Sequence, residues 1–274
     1  RTEDEAFALV REQAARWKNH PRIRLSVAPH AVYTTTPALL ARCRDAAEEL
    51  DLPVHIHLAE TRTETDDCLK AHGKRPLAYC AGIGLLTKRT TIAHGVVLDD
   101  GELDILAQSG ACVAHCPRSN MKLASGVARV PAMLDRGIPV ALGTDGAASS
   151  NNLNMFQEMS VAALLHKAES LDPAVLPAQT VLALATLGGA AALHWPGLGE
   201  IRRGGPADII AVDMTPPNMQ PAHSPASNLV YAATGGEVRL TMAAGEVLYK
   251  DGEYRKIDRE ALRAALGATL RKLR

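Results

Sequence analysis

The chain carries no excess of charge of either sign: 30 Lys and Arg balance 30 Asp and Glu over 274 residues. A general binder of nucleic acid or anionic membrane normally shows a basic excess, so neither is expected as a partner. No apolar run approaches the ~18 residues that a transmembrane helix needs, and no signal-peptide core is read at the start. Cysteine is sparse. Cys43, Cys68, Cys80, Cys112 and Cys116 are too few and too scattered for a disulfide framework, which points to a reducing, cytoplasmic setting. Two catalytic signatures are missing as well. There is no Gly-x-Ser-x-Gly elbow for a serine hydrolase, and neither Gly-x-Gly-x-x-Gly nor a P-loop for a phosphate ligand. What is left, at 47% hydrophobic and 22% charged residues, is the composition of a globular protein of enzyme size.

From about residue 2 to 194, short apolar runs alternate with longer helical patterns. A capping box at Thr2 and Glu5 opens a helix to about Asn19, and a strand follows at Ile23–Val27. Thr36-Pro37 caps a helix to about Leu50, before a strand at Val54–Leu58. Thr61 with Glu64 caps the next helix, and Thr91–Ala93 makes a third strand. Asp99 and Glu102 open a helix to about Ser109; Ala111–Ala114 is the fourth strand. A short helix at Pro131–Asp135 precedes the fifth strand, Val140–Leu142. Helices are then expected from Leu153 to about Lys167 and from about Thr180 to Leu193. Beyond about residue 200 the pattern changes to short strands and turns, closed by a basic helix. Two units are therefore expected, residues 1–199 and 200–274.

Strand then helix, repeated, means parallel strands with crossover helices. An open doubly wound sheet and a closed barrel both satisfy that order. The reactive side chains favour the barrel. The five strands end at His30, at His57 with Glu60, at His94, at His115 and at Asp145. In a TIM-like (β/α)8 barrel such ends form one ring, whereas an open sheet spreads them along an edge. A complete barrel has eight strands. Five are read here, the chain opens on a helix, and residue 1 is Arg, so the first three βα units are expected to lie outside this sequence.

Imidazoles and an aspartate on one ring suit a mononuclear metal site, because a catalytic zinc takes about three protein ligands and keeps a position open for water. The bound water becomes a nucleophile near pH 7, and a carboxylate beside it shuttles protons. His57 and Glu60 leave one strand end together and fit those two roles. Asp145 lies in Gly143-Thr144-Asp145-Gly146, where the glycines let the backbone turn tightly. His55 shares the face of His57 but lies a layer deeper, and His115 precedes Cys116-Pro117; both are secondary candidates. His20, His72, His166, His194 and His223 read as structural or solvated, and Cys112 and Cys116 as small core residues.

The stretches His55-Ile-His57-Leu-Ala-Glu60-Thr, Ile92-Ala-His94-Gly, Cys116-Pro-Arg-Ser-Asn120-Met-Lys-Leu-Ala-Ser-Gly126 and Ala141-Leu-Gly-Thr-Asp145-Gly-Ala resemble the amidohydrolase superfamily. Within it they are most similar to the 5-methylthioadenosine/S-adenosylhomocysteine deaminases, with the triazine hydrolases nearby. The resemblance implies that His57 is a metal ligand and Asp145 both a ligand and a general base. It implies Glu60 as the substrate-binding proton shuttle, His94 as the residue that hydrogen-bonds the attacking hydroxide, and His30 as a substrate contact. The cofactor implied is one divalent metal per subunit, Zn2+ first, with Fe2+, Mn2+ or Ni2+ as alternatives. The reaction implied adds hydroxide to C6 of an adenine nucleoside and releases ammonia, with Glu60 delivering a proton to N1 and Asp145 one to the leaving group.

The superfamily's His-x-His pair at the end of its first strand is not found, since Leu58-Ala59-Glu60 marks His55-x-His57 as a later strand. Gly204 to Asp213 resembles the Ala-Asp-hydrophobic-Asp strand of the superfamily's small β-sandwich, and Val238–Met242 and Glu246–Lys250 fit two more strands. The expected partner is a small-molecule nucleoside, and homo-oligomers are compatible with the sequence. The rival readings are a guanine or cytosine deaminase or triazine hydrolase on the same site, and a non-catalytic fragment that needs its N-terminal strands.

Overall fold

The computed structural model describes residues 2–272. Among these, β1 (Val54–Leu58), β2 (Thr90–His94), β3 (Cys112–His115) and β4 (Val140–Leu142) form an all-parallel sheet in chain order. The register sets Leu58 beside His94 and His115 beside Leu142, so the carboxyl ends of the strands run level. Each connection is a crossover through helix, and strands added in one direction build an arc of a barrel.

The side of the sheet facing the helices is apolar. Val54, Ile56 and Leu58 of β1 are buried while His55 and His57 take the other face, the alternation that a pleated strand imposes. Ile92, Val113, Val140 and Leu142 continue the layer and pack against Leu40, Leu77, Leu103, Leu106, Met133 and Met159. Burying each such side chain stabilises the fold by roughly 1.5–3 kcal/mol. Helix starts follow the capping chemistry: both capping boxes close, at Thr2–Glu5 and at Asp99–Glu102. Thr36 accepts from the N–H of Leu39 and Thr61 from that of Glu64.

One local expectation is corrected. The strand at Ile23–Val27 reduces to one bridge, Val27 to Val54, with the chain then running beside β1 so that His57 N–H donates to His30 O at 3.1 Å. The segment pairs on one side only, and Pro29 has no N–H to offer a ladder. The helix read from Thr180 to Leu193 stands at 178–192, with right-handed backbone throughout and a π-turn at Leu184–Gly188 in its middle. It crosses the amino ends of the strands, and Gly188 lies so close to β4 that a Cβ would collide with the carbonyl oxygen of Val140. Short helices at Pro76–Gly82 and Pro117–Lys122, not read from the sequence, each begin with proline, the signal that could have found them.

The second sheet is antiparallel, with β5 (Ile209–Val212), β6 (Val238–Ala243), β7 (Glu246–Lys250) and β8 (Glu253–Tyr254) in order. Its strands are mostly half-buried. Between β5 and β6 the chain returns to the first unit: Val230 is buried in the main core, and the Asn154 amide donates to Thr234 O at 2.6 Å. The closing helix is Arg259–Lys272.

Candidate active site

His57, His94 and Asp145 converge at the carboxyl ends of the parallel strands, with one ligand atom of each within 4.8 Å of the others. Strand alternation alone turns His57 away from the helices. His94 has the same parity as the core residue Ile92, and alternation would bury it among the helices. Its backbone is left-handed instead (φ 76°), and its ring stacks on His57 with centroids 5.5 Å apart. Asp145 (φ 56°) and Ala59 (φ 54°) are left-handed too. A non-glycine residue held there costs of order 1–3 kcal/mol, and such strain gathers where side chains must be aimed.

Hydrogen bonds set the state of each ring and carboxylate. The Nδ1 of His57 lies 2.8 Å from the carbonyl oxygen of His30. A carbonyl only accepts, so Nδ1 carries a proton, and in the neutral ring Nε2 keeps the lone pair. The Nδ1 of His94 lies 2.8 Å from Asn120 Oδ1, which leaves its Nε2 free in the same way, 3.7 Å from Glu60 Oε2. Asp145 accepts from the Ser119 hydroxyl at 2.6 Å and from the Gly146 N–H at 2.7 Å. Burial works against the charge on Asp145, but Ser119, Gly146 and the neighbouring His94 hold its carboxyl below the usual carboxylate range. Glu60 accepts from Ser125 Oγ at 3.0 Å. Its backbone is pinned by Glu64, which accepts from the N–H groups of Ala59 at 2.9 Å and Glu60 at 2.7 Å.

These residues can hold a divalent cation. Two imidazole nitrogens with free lone pairs and one carboxylate held anionic are the donor types and number of a catalytic zinc site. Each donor is hydrogen-bonded on its far side, as metal-binding side chains commonly are.

The other sequence candidates fall in different places. His30 stands next to the cluster, its ring 5.0 Å from that of His57, with Nδ1 on Thr34 Oγ1 at 2.8 Å. His55 is on the same face of β1 and exposed. His115 is turned toward the helices, where its Nε2 meets the Nε2 of His166 at 3.2 Å in a fully buried pair. Its parity with Val113, without a left-handed residue to reverse it, explains the placement. Burial, with His166 and His94 beside it, pushes His115 down to about 3. Sequence reasoning passed over Ser119, Asn120 and Ser125 as partners of the reactive groups, although all three lie in the motif from Cys116 to Gly126. A cavity of about 1410 Å³ lies at the opposite end of the sheet, lined by Trp17, Trp195, Leu52, Pro53, Lys88 and Arg89 among others, and contains none of the clustered residues.

Residues 1–248 match the profile of the amidohydrolase family. The 5-methylthioadenosine/S-adenosylhomocysteine deaminase of Nitratidesulfovibrio vulgaris Hildenborough is 63% identical over 257 residues, which are 94% of this chain and 58% of that protein. The crystal structure of an adenosine deaminase from Xanthomonas campestris with bound zinc superposes with a TM-score of 0.94 at 40% identity, covering 96% of this chain and 60% of that one. An atrazine chlorohydrolase from Arthrobacter aurescens complexed with zinc gives 0.86 at 25% identity, covering 96% and 60%. The chain thus spans about 58% of the length of the deaminase it matches.

Proposed function

The chain belongs to the amidohydrolase family, and from that premise we propose that the whole protein is a metal-dependent aminohydrolase of adenine nucleosides. Its substrate would be 5'-methylthioadenosine, S-adenosylhomocysteine or both, and its products the inosine analogue and ammonia. The fold is the TIM-like metal-hydrolase barrel, of which the four parallel strands form an arc. The observation that carries the proposal is the convergence of His57, His94 and Asp145 with the Glu60 carboxylate 3.7 Å from His94.

In this reading His57 and Asp145 hold the cation, zinc by preference, and His94 either completes the set or holds the attacking oxygen. Bound there, the ion would acidify a water and so supply a nucleophile at neutral pH. Glu60 removes a proton from the attacking water and delivers it to N1 of the purine. Asp145 takes the second proton and hands it to the amino group leaving C6. His30, beside His57, contacts the substrate. The five free, buried cysteines support a reducing compartment, the cytoplasm. Among the described residues no helix is long and apolar enough to cross a membrane.

The test is ammonia release by the full-length protein from methylthioadenosine, S-adenosylhomocysteine, adenosine, guanine, cytosine and melamine, with metal quantified in the same sample. Release from the thio-nucleosides with about one metal per chain is expected. The second reading is a triazine-type hydrolase, supported by the likeness to the chlorohydrolase. Metal without turnover of any purine or pyrimidine would move the assignment there. A chain with neither metal nor turnover would be a non-catalytic relative.

A further inference from the structure

One ten-residue segment touches every group assigned a proton or a ligand role except His57. It leaves β3 at Pro117 and ends at Gly126, and three of its side chains reach back to three different strand ends. Ser119 donates to Asp145 at 2.6 Å, Asn120 meets His94 Nδ1 at 2.8 Å, and Ser125 donates to Glu60 at 3.0 Å. Ser119 and Asn120 have no exposed surface at all.

We propose that this segment, through Ser119, Asn120 and Ser125, is the positioning element that aims the carboxylates and imidazole of the site. The proposal rests on the reading of Asp145, His94 and Glu60 given above.

Three observations separate aiming from packing. A packing role is served best by apolar side chains, yet the residues at these contacts are small and polar. The second is the Asn120 amide nitrogen, which is buried with no hydrogen-bond partner among the described residues. Leaving a buried donor unmade costs about 1–3 kcal/mol, a cost that leucine at this position would avoid. Asparagine there is explained by its oxygen, which fixes the proton of His94 on Nδ1 and leaves the Nε2 lone pair facing Glu60. The third is the anchoring of the segment itself. The backbone N–H of Arg118 donates to the fully buried Glu158 at 3.3 Å, and the guanidinium of Arg118 lies 3.6 Å from the same carboxylate. A loop that only covered the core would not need a buried carboxylate under its first turn.

The three contacts make separable predictions, because they end on different groups. Losing a hydrogen-bond partner behind a metal ligand typically lowers metal affinity or activity by about 10–100-fold. In the full-length protein, Ser119→Ala is therefore expected to weaken zinc binding by about 10–100-fold, measured by chelator competition. Ser125→Ala is expected to leave zinc affinity unchanged and to lower kcat by about 10-fold or more with KM nearly constant. Asn120→Leu should lower kcat, and Asn120→Asp, which keeps the oxygen, should recover most of it. Ser125→Thr, which keeps the hydroxyl, should restore turnover. Thermal melts accompany every variant.

Wild-type zinc affinity in Ser119→Ala together with wild-type kcat in Ser125→Ala and Asn120→Leu would overturn the proposal. So would losses that follow Tm and are not recovered by Asn120→Asp and Ser125→Thr, since the segment would then be structural only. If the parent protein turns over no nucleoside, the functional reading fails, but the zinc measurement on Ser119→Ala still decides the positioning role.

Discussion

The two ends of the parallel sheet are built on different principles. At the carboxyl end left-handed backbone at Ala59, His94 and Asp145 accompanies a set of polar side chains, and Asp145, His94 and Glu60 each have a hydrogen-bond partner behind them. At the amino end, beside the large cavity, the strands are held by close backbone approach. The segment Leu184–Ala192 passes beneath the strands, Gly188 sits against Val140, and Thr91 Oγ1 donates to Ala192 O at 2.6 Å. One end is organised to aim side chains and the other to hold the strands together. That division lets chemistry vary at one end without loss of the fold, the usual partition in barrels of this architecture. It also says where each kind of substitution should register.

The largest effect is expected at the carboxyl end and in turnover alone. Glu60→Gln keeps the shape of the side chain but cannot carry a proton. It should lower kcat of the full-length protein by about 10²–10⁴-fold while its urea midpoint stays put. Near-normal turnover would remove Glu60 from the mechanism. The converse substitution is Gly188→Ala at the amino end, where the added Cβ has no room. It should destabilise by about 1–3 kcal/mol or more in urea melts, with kcat per folded molecule preserved. A variant that lost turnover without losing stability would break the division between the two ends.

The His115–His166 pair and Glu158 sharpen the comparison through pH. His115 and His166, on the helix side of the sheet, are pushed down to about 3 and about 4, chiefly by burial. Below pH ~6.5 the unfolded chain binds protons that the folded pair refuses, so stability falls as pH drops from there toward 3–4. Each tenfold difference in proton affinity between the folded and unfolded chain is worth about 1.4 kcal/mol, so replacing both residues with leucine should flatten the acid limb of a stability-versus-pH curve. An unchanged acid limb would exclude the pair as its source. Glu158, beneath the site, works in the opposite sense. Burial pushes it up to about 7, against its contacts with Arg118. Between about pH 4.5 and 7 the unfolded chain gives up this proton and the folded chain keeps it, so stability falls as pH rises through that window. The Glu158→Gln variant should lack this component, which is on the order of 3 kcal/mol at most. Parallel curves for the two proteins across the window would contradict that assignment.

Much of this arrangement is legible in the order of residues. The strands Val54–Leu58 and Val140–Leu142 stand where the apolar runs place them, and the threonine and aspartate caps start their helices. These features depend on a few neighbouring residues, and local sequence carries them. The residues at strand ends can be picked out for the same reason: His57, Glu60, His94 and Asp145 each follow an apolar run. His115 meets the same criterion and turns the other way. Nothing local separates it from His94; a single backbone dihedral does, and its sign is set by the surrounding packing. The hydrogen-bond partners are hidden by distance along the chain. Ser119 reaches Asp145 across 26 residues and Ser125 reaches Glu60 across 65.

The sequence by itself determined the order of the four parallel strands and of the capped helices between them, most of their boundaries, and the kinds of reactive group delivered to the strand ends. Those follow from periodicity, capping and turn chemistry, which act over a few residues. Only the tertiary structure decided which of those groups meet. Convergence of His57, His94 and Asp145 within 4.8 Å depends on the curvature of the sheet and on left-handed residues at its rim. It depends equally on one polar segment, anchored on buried Glu158, whose contacts join residues far apart in the chain. No local pattern encodes those distances, because the energy that fixes them is the packing of the whole unit.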